Sequence, residues 1–384
     1  MFSSKNARVI LFAVVLLLIT FSMYLFSKAP EVKYLNEGVG TGSVKYEKAK
    51  VLQVISEDLQ KDSQEPDLKT GTQELEVKII SGEHKGDIQT VTNRVNLYNY
   101  SIAKKGSIIV VNIQTAETGN YTVLAYNVYK TPVILVTILL FFAVLWWIGG
   151  RKGLMSVLGI VFTFMCIFYL FIPMLYRGYS PIIATILVAV LITGISLLLL
   201  NGWSSKSWAA ILGTIIGLVI TGIIAYLFQT FAHISGYNID NGETLITISY
   251  TSGMQLRGLL FAGVLLSSLG AVMDISISIA AAVHEVYLTK STLNKRELYL
   301  SGLNLGRDIM GTMANTLLLA FTGSALNTLI ILYAMKVPFN QLMNMNYIAI
   351  EVMIGMSGCI GIVLTVPIVA FISSQIIPVY SKKN

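Results

Sequence analysis

The sequence predicts an α-helical polytopic membrane protein with a small all-β domain inserted near its N-terminus. Apolar residues make up 54% of the 384 residues and charged residues only 12%, whereas an average soluble domain has roughly 25% charged residues. Apolar runs close to the ~20 residues that cross a hydrocarbon core recur along the chain. One polar segment, residues 30–130, interrupts these runs and shows strand-like alternation instead.

The first element is an apolar run at residues 9–26, which follows Lys5 and Arg8. A signal peptide would have a shorter apolar core and a cleavage site of small residues. We therefore predict an uncleaved anchor helix within residues 1–29. An extracytoplasmic β domain at residues 30–130 and a seven-helix membrane domain at residues 131–384 are predicted to follow it.

The β domain is predicted from short alternating segments separated by glycine-containing turns. The segments are residues 45–55, 73–80, 87–92, 107–114 and 121–129. Five short strands indicate a small barrel or sandwich, with an OB-like barrel as the best match. The domain has no combined aromatic and basic stripe that would stack nucleotides, so no nucleic-acid partner is expected.

Seven apolar spans follow and, with the anchor, predict about eight transmembrane helices. They lie at residues 131–149, 153–173, 180–200, 208–231, 254–275, 310–334 and 347–377. With a cytoplasmic N-terminus, eleven basic residues lie at inside ends of spans and three, Arg177, Arg257 and Lys336, at outside ends. The positive-inside rule then predicts that both termini are cytoplasmic and the β domain is outside. The net charge of +7 favours anionic head groups of the lipid bilayer as partners.

Ionisable residues within the spans or at their ends mark the candidate site, because a charge inside hydrocarbon is costly and rare. Asp274 and Asp308 are candidate carriers of protons or cations, and Arg307 would tune them by its charge. Ser276 and Asn315 offer neutral oxygens of the kind that hard cations prefer. Since the two spans are consecutive, we expect these groups to meet in the inner half of the bundle.

Two simpler interpretations of the same residues stay open. Asp274 and Arg307 could form a structural ion pair, or their side chains could extend to the membrane interface. Glu351 enters the last span one turn from its outer end. It is a candidate for the opposite mouth of a pathway, and it would equally suit head-group water.

Signals for an enzyme are weak, and no catalytic residue, cofactor or metal site is predicted. His284 and Glu285 begin like a zinc-protease helix, but Leu288 stands where the second histidine of that pattern belongs. Ser357 and His233 lie in short segments that resemble those of rhomboid intramembrane proteases. In rhomboids the serine precedes the histidine in the sequence, whereas here the order is reversed.

Two segments resemble the YibE/F family of bacterial membrane proteins: GAVMDISISIAAAVHE at residues 270–285 and SGLNLGRDIMGTMANTLLLAFTGSAL at residues 301–326. The β segment GTQELEVKIISGEHKGD at 71–87 and the final GIVLTVPI at 361–368 fit the same pattern. The β domain makes the chain similar to the longer, YibE-like members. The resemblance implies a bacterial cytoplasmic membrane and a second YibE/F-type membrane subunit as partner, but no substrate and no catalytic residue.

The first functional hypothesis is an ion- or proton-coupled transport or permeation component with a polar site in its inner half. The alternative is a non-enzymatic scaffold or assembly factor whose β domain docks an envelope protein. An intramembrane serine protease using Ser357 and His233 is a remote third hypothesis.

Overall fold

A computed structural model describes residues 4–28, 43–61, 65, 67–97, 101–115, 120–235, 237 and 242–381. The chain divides into two compact units, one of Leu35–Val144 and one of Met1–Tyr34 with Leu145–Asn384. The boundary between Val144 and Leu145 lies inside a helical run that begins at Thr131. Each unit is described by itself below.

The first unit contains a β half-barrel made of five antiparallel strands, the number predicted. The strands are β1 (Ser43–Lys61), β2 (Lys69–Ile79), β3 (Ile88–Val95), β4 (Ile108–Thr115) and β5 (Tyr121–Val128). Their order in the sheet is β3-β2-β1-β4-β5. Alternation of buried and exposed residues builds the core: Leu75, Val77 and Ile79 on β2 are fully buried, while their neighbours in sequence face away.

A buried polar network fixes the segment before β4 to this sheet. Gln73 is fully buried. Its side-chain oxygen accepts from Asn93 Nδ2 at 3.0 Å and from the Ala103 backbone N–H at 2.9 Å. Its side-chain nitrogen donates to Glu57 Oε2 at 3.0 Å and to the Ala103 carbonyl at 3.2 Å. Because buried polar groups are costly when unpaired, this satisfied network specifies the path of the segment around Ala103.

A second polar cluster joins the β2–β3 turn to the start of β5. The Tyr121 hydroxyl donates to Asp87 Oδ2 at 2.6 Å, and the His84 ring stacks on Tyr121 with centroids 3.8 Å apart. The hydrogen bond to Asp87 holds the pKa of Tyr121 above its usual value, because ionisation of the phenol would place a second negative charge beside the carboxylate.

The remaining described elements are helical. They are α1 (Ser4–Ser27), α2 (Thr131–Cys166), a π-helical turn (Ile167–Phe171), α3 (Ile172–Tyr176), α4 (Pro181–Asn201), α5 (Ser205–Phe231), α6 (Gly242–Ser252), α7 (Leu259–Thr289), α8 (Lys295–Ser324), α9 (Leu326–Ala334), α10 (Phe339–Leu342) and α11 (Asn346–Ser381). α1 packs against the π-helical turn, and the Arg177 guanidinium lies over the Phe26 ring at 4.1 Å from its centroid.

Among the described residues, five helices are long and apolar enough to cross a membrane, or six if α8 and α9 count as one span bent by 62°. The sequence predicts about eight. Part of the difference is that the predicted spans 131–149 and 153–173 form one run, Thr131–Tyr176, of 46 residues. Gly150 interrupts this run at φ 53°, ψ −130°, between the two predicted spans. The described apolar part of α1, Val14–Ser27, is shorter than a full span.

α11 is the central helix of the bundle and packs against α5, α7 and α8. Glycines allow its closest approach to α5. Gly217 faces Thr365, and Thr221 faces Gly361, so each helix offers a glycine to the other's threonine. Each threonine hydroxyl donates to a carbonyl of its own helix, Thr221 to Gly217 at 2.9 Å and Thr365 to Gly361 at 2.7 Å. These glycines thus allow the two helices to pack closely.

Candidate functional site

α7 and α8 form an antiparallel hairpin whose inner faces are fixed by two more glycines. A Cβ on Gly302 would lie 2.7 Å from Val283 Cγ2, and one on Gly306 would lie 3.1 Å from Ile279 Cδ1. Both glycines also face α11. Since these small residues mark the packed face of α8, side chains half a turn away point out of the bundle.

A stripe of polar and small residues runs along the opposite, exposed face of α8. Its members are Asn304, Asp308, Gly311, Asn315 and Thr322, all of them exposed. Their spacings of 4, 3, 4 and 7 residues keep them on one face of a helix. At 1.5 Å per residue the stripe extends about 27 Å, nearly the ~30 Å of a hydrocarbon core. We refer to these five residues as the α8 stripe.

Asp274 on α7 lies level with the middle of the α8 stripe. Residues that face each other in an antiparallel helix pair have residue numbers with a constant sum. Gly302 faces Val283 and Gly306 faces Ile279, and both pairs sum to 585. The same register places Asp274 beside Gly311. Asp308 and Asn315 are then three and four residues away along the axis, or roughly 5–6 Å. Asp274 is exposed, on an α7 face that also carries the exposed Gly263 and Gly270.

The side chains of Asp274, Arg307, Asp308 and Asn315 have no hydrogen-bond or ion-pair partner within the described parts of the chain. The ion pair between Asp274 and Arg307 that the sequence left open is therefore not formed among these residues. Arg307 is exposed beside the stripe. Two carboxylates, one guanidinium and one amide thus lie on neighbouring helices without a hydrogen-bond or ion-pair partner among the described residues.

Ser276 lies on the other side of α7 from Asp274. It is fully buried, and its hydroxyl donates to the Val272 carbonyl at 2.7 Å. The structure therefore does not bring Ser276 to the stripe, although it is only two residues from Asp274. A two-residue step turns a helix by about 200°, which reverses the direction of the side chain.

Glu351 lies at the far end of the stripe. It lines a cleft of about 220 Å³ between α8, α9 and α11, together with Thr322, Tyr347 and Gly355. Gly355, one turn further along α11, faces Leu318 and Phe321 of α8. Glu351 is half-buried there, so the last member of the stripe and this carboxylate share one cleft.

The residues considered for catalysis do not meet. Ser357 is fully buried on α11, and its hydroxyl has no partner in the part of the chain that the structure describes. His233 is exposed just beyond the end of α5, with φ 51°. No group of three or more His, Cys, Asp or Glu side chains among the described residues could hold a metal ion.

Sequence reasoning identified the ionisable residues but expected them inside the bundle, whereas they lie on the outer face of the hairpin. It also missed Asn304 and Thr322. The helical spacing from Asn304 to Thr322, together with the glycine pair Gly302 and Gly306 on the opposite face, was the available signal for the stripe.

A family model described as YibE/F-like protein matches residues 137–379. This range contains α7, α8, every residue of the α8 stripe and all but the last two residues of α11. No curated protein and no solved structure matches the chain.

Proposed function

We propose that this chain, which belongs to the YibE/F-like family, forms one wall of a pathway that carries protons or cations across a bacterial cytoplasmic membrane. The observation that carries the proposal is the exposed α8 stripe. It combines polar side chains with a length close to the thickness of a hydrocarbon core. The proposal treats the chain as a transport or permeation component and not as an enzyme.

A polar row of this kind does not suit contact with lipid. Hydrocarbon offers no hydrogen bonds, and charged side chains in spans face a partner or a water-filled cavity. Lipid contact along Asp274, Asp308 and Asn315 would leave all three side chains unsatisfied. The stripe is better explained as the lining of a hydrated path, whose other wall comes from outside this chain.

The chemistry of the lining favours cations. Asp274 and Asp308 would attract a proton or a positive ion, and the positive charge of Arg307 would weaken the binding of that ion. Asn315 and Thr322 would supply neutral oxygens between the two ends. Glu351 would receive the ion at the cleft that it shares with Thr322. Binding at each point must be weak enough for the ion to leave, which neutral oxygens between charged points provide.

The proposed orientation follows from the distribution of basic residues. Both termini would be cytoplasmic, the Asn304 end of the stripe would face the cytoplasm, and Glu351 would face outward. The β half-barrel would then be extracytoplasmic, and its strand order suits an OB-like barrel. The second wall would come from a YibE/F-type membrane subunit, as the family resemblance implies.

The test is ion flux through purified protein in proteoliposomes under proton and cation gradients. We expect current in the wild type that is lost in Asp274→Asn and in Asp308→Asn. The matched control is Glu243→Gln, which makes the same carboxylate-to-amide change on α6, away from the stripe. Wild-type current in both Asp274→Asn and Asp308→Asn, or equal loss in the control, would refute the assignment of the pathway to this face.

The scaffold hypothesis has its own supporting observation in the β half-barrel. On the outer face of the β1-β4-β5 strands, Tyr46 and Tyr126 pack edge to face at 5.1 Å. Val44 and Leu124 are exposed beside them, at 54% and 46%. Exposed apolar patches of this kind often mark binding surfaces. Envelope-protein capture that is lost in Tyr46→Ser with Tyr126→Ser, with ion flux unchanged, would support a docking role for this face.

A further inference from the structure

The α7–α8 outer face, defined by Gly263, Gly270 and Asp274 on α7 with Arg307 and the α8 stripe, is incomplete in one chain. Its charged groups have no partner among the described residues. The opposite side of α8 is already occupied, because it packs against α7 and α11. A protein surface that contacts this face in the membrane would have to provide opposite charge and close backbone approach.

We infer that a second copy of this chain covers the face, related to the first by a two-fold axis, so that two α8 stripes line one pathway. The inference rests on the proposed function and names the partner for its second wall. In a two-fold interface the same surface of each copy faces the other, so a group on this face must find its partner among the groups of the same face on the other copy.

The charges of the face are self-complementary. Asp274 is level with Gly311, one turn from Arg307 along the hairpin, and both side chains are exposed and unpaired among the described residues. Across a two-fold axis, Arg307 of each copy would pair with Asp274 of the other. Both Asp308 carboxylates would then remain for the pathway, and no buried guanidinium would be left uncompensated.

The glycines of the face leave it open to another helix. Among the described residues, no atom lies within 4 Å of the place a Cβ would occupy at Gly263, Gly270 or Gly311. At Gly217 and Gly302, by contrast, the equivalent space is filled by a neighbouring helix of the same chain. The bundle thus uses glycine where helices cross closely, and the outer face carries the same feature with no neighbour in the described part of the chain.

Crosslinking of the full-length protein in membrane vesicles with a bis-maleimide, whose spacer can cross a hydrated path, tests the contact. In a background with Cys166→Ala and Cys359→Ala, Gly311→Cys places a thiol in the α8 stripe. The matched control is Gly194→Cys on α4, where a Cβ also has no described atom within 4 Å. We expect the reagent to give a product of twice the 42.1 kDa chain mass with Gly311→Cys, and not with Gly194→Cys. Equal yields, or a product with a different protein, would overturn the second copy as partner.

Charge reversal tests the pairing itself. Asp274→Arg would oppose Arg307 of the other copy, and Arg307→Asp would oppose Asp274, so each single variant should reduce the crosslinked fraction. The double variant restores opposite charges and should recover it. A double variant that crosslinks no better than the singles would overturn the pairing, provided that its size-exclusion profile in detergent shows folded protein.

Flux and copy number separate this inference from the proposed function. A crosslinked dimer that conducts no ion under any gradient would refute the pathway and leave the two-fold contact standing. Ion flux from vesicles in which single-molecule photobleaching counts one copy would refute the two-fold contact and leave the pathway standing.

Discussion

Gly361→Ala should destabilise the helical bundle, because this position has no room for a methyl group. A Cβ at Gly361 would overlap the Thr221 hydroxyl, and it would stand 3.0 Å from Thr221 Cβ and 3.2 Å from Thr221 Cγ2. Carbon atoms prefer separations of about 3.5–4.0 Å, so α5 and α11 would have to separate by roughly 0.5–1 Å. Overpacking of this degree costs about 1–3 kcal/mol.

The expected cost translates into a measurable change in thermal stability. A change of 1 kcal/mol shifts the melting temperature by about 2–4 °C in a soluble unit of 150–250 residues. On that scale we expect Gly361→Ala to unfold roughly 2–12 °C below the wild type in the same detergent. Differential scanning fluorimetry, read through the buried Cys166 and Cys359 with a thiol-reactive dye, follows the opening of the bundle.

Two variants separate the clash from a general effect of alanine. Gly194→Ala on α4 adds the same methyl where no described atom lies within 4 Å, and it should melt close to the wild type. Thr221→Ala added to Gly361→Ala removes the hydroxyl and leaves only the Cβ at 3.0 Å, so part of the loss should be recovered. Equal melting temperatures for Gly361→Ala and Gly194→Ala would refute the proposed packing of α5 on α11.

Three further predictions concern the β half-barrel. Gln73→Leu leaves the Ala103 backbone unpaired and should cost about 1–3 kcal/mol for each unsatisfied group, seen as faster hydrogen exchange around Ala103. The pKa of Tyr121 is raised in the folded protein. Its hydrogen bond to Asp87 therefore stabilises the fold below the unfolded-state pKa of Tyr121, and this stabilisation is lost as pH rises through the folded-state pKa. Chemical denaturation at increasing pH should show a smaller alkaline loss of stability for Tyr121→Phe than for the wild type. A hydrogen bond from Lys45 lowers the pKa of Glu83, so the stabilisation by this pair is present above the unfolded-state pKa of Glu83 and is lost on acidification. Because the pair is exposed, Glu83→Gln should change the free energy of unfolding little at pH 7.

The β half-barrel was the easier part to predict from sequence. A sheet with one solvated face alternates apolar and polar residues, and residues 73–80 show this alternation clearly. The number and positions of the five strands follow from such segments and from the turns between them. The buried Gln73 network could not be predicted, because its partners Asn93 and Ala103 are distant in sequence and meet only through the sheet register.

The helical unit was harder because the rule that separates inside from outside fails in a membrane. In a soluble protein a polar stripe faces water, and its direction can be read from periodicity. In a bilayer both the bundle core and the lipid are apolar, so the ionisable residues near Asp274 and Asp308 were expected inside the bundle. The number of spans was also uncertain, since Gly150 lies within a run that periodicity alone cannot divide.

The spacing of glycines indicates which side of a helix packs inside the bundle, whereas the polarity of the side chains does not. Gly302 and Gly306 lie on the side of α8 that packs against α7 and α11, and Asp308 and Asn315 lie half a turn away. Small residues are enriched where another backbone comes close, so a glycine row indicates a packed face whatever the polarity of the other side. By the same reasoning, Gly270 and Gly311 are consistent with another helix on the outer face. The polar residues and these glycines therefore support the same proposal, that a second subunit completes the site near Asp274, and the experiments on the site should be made on that assembly.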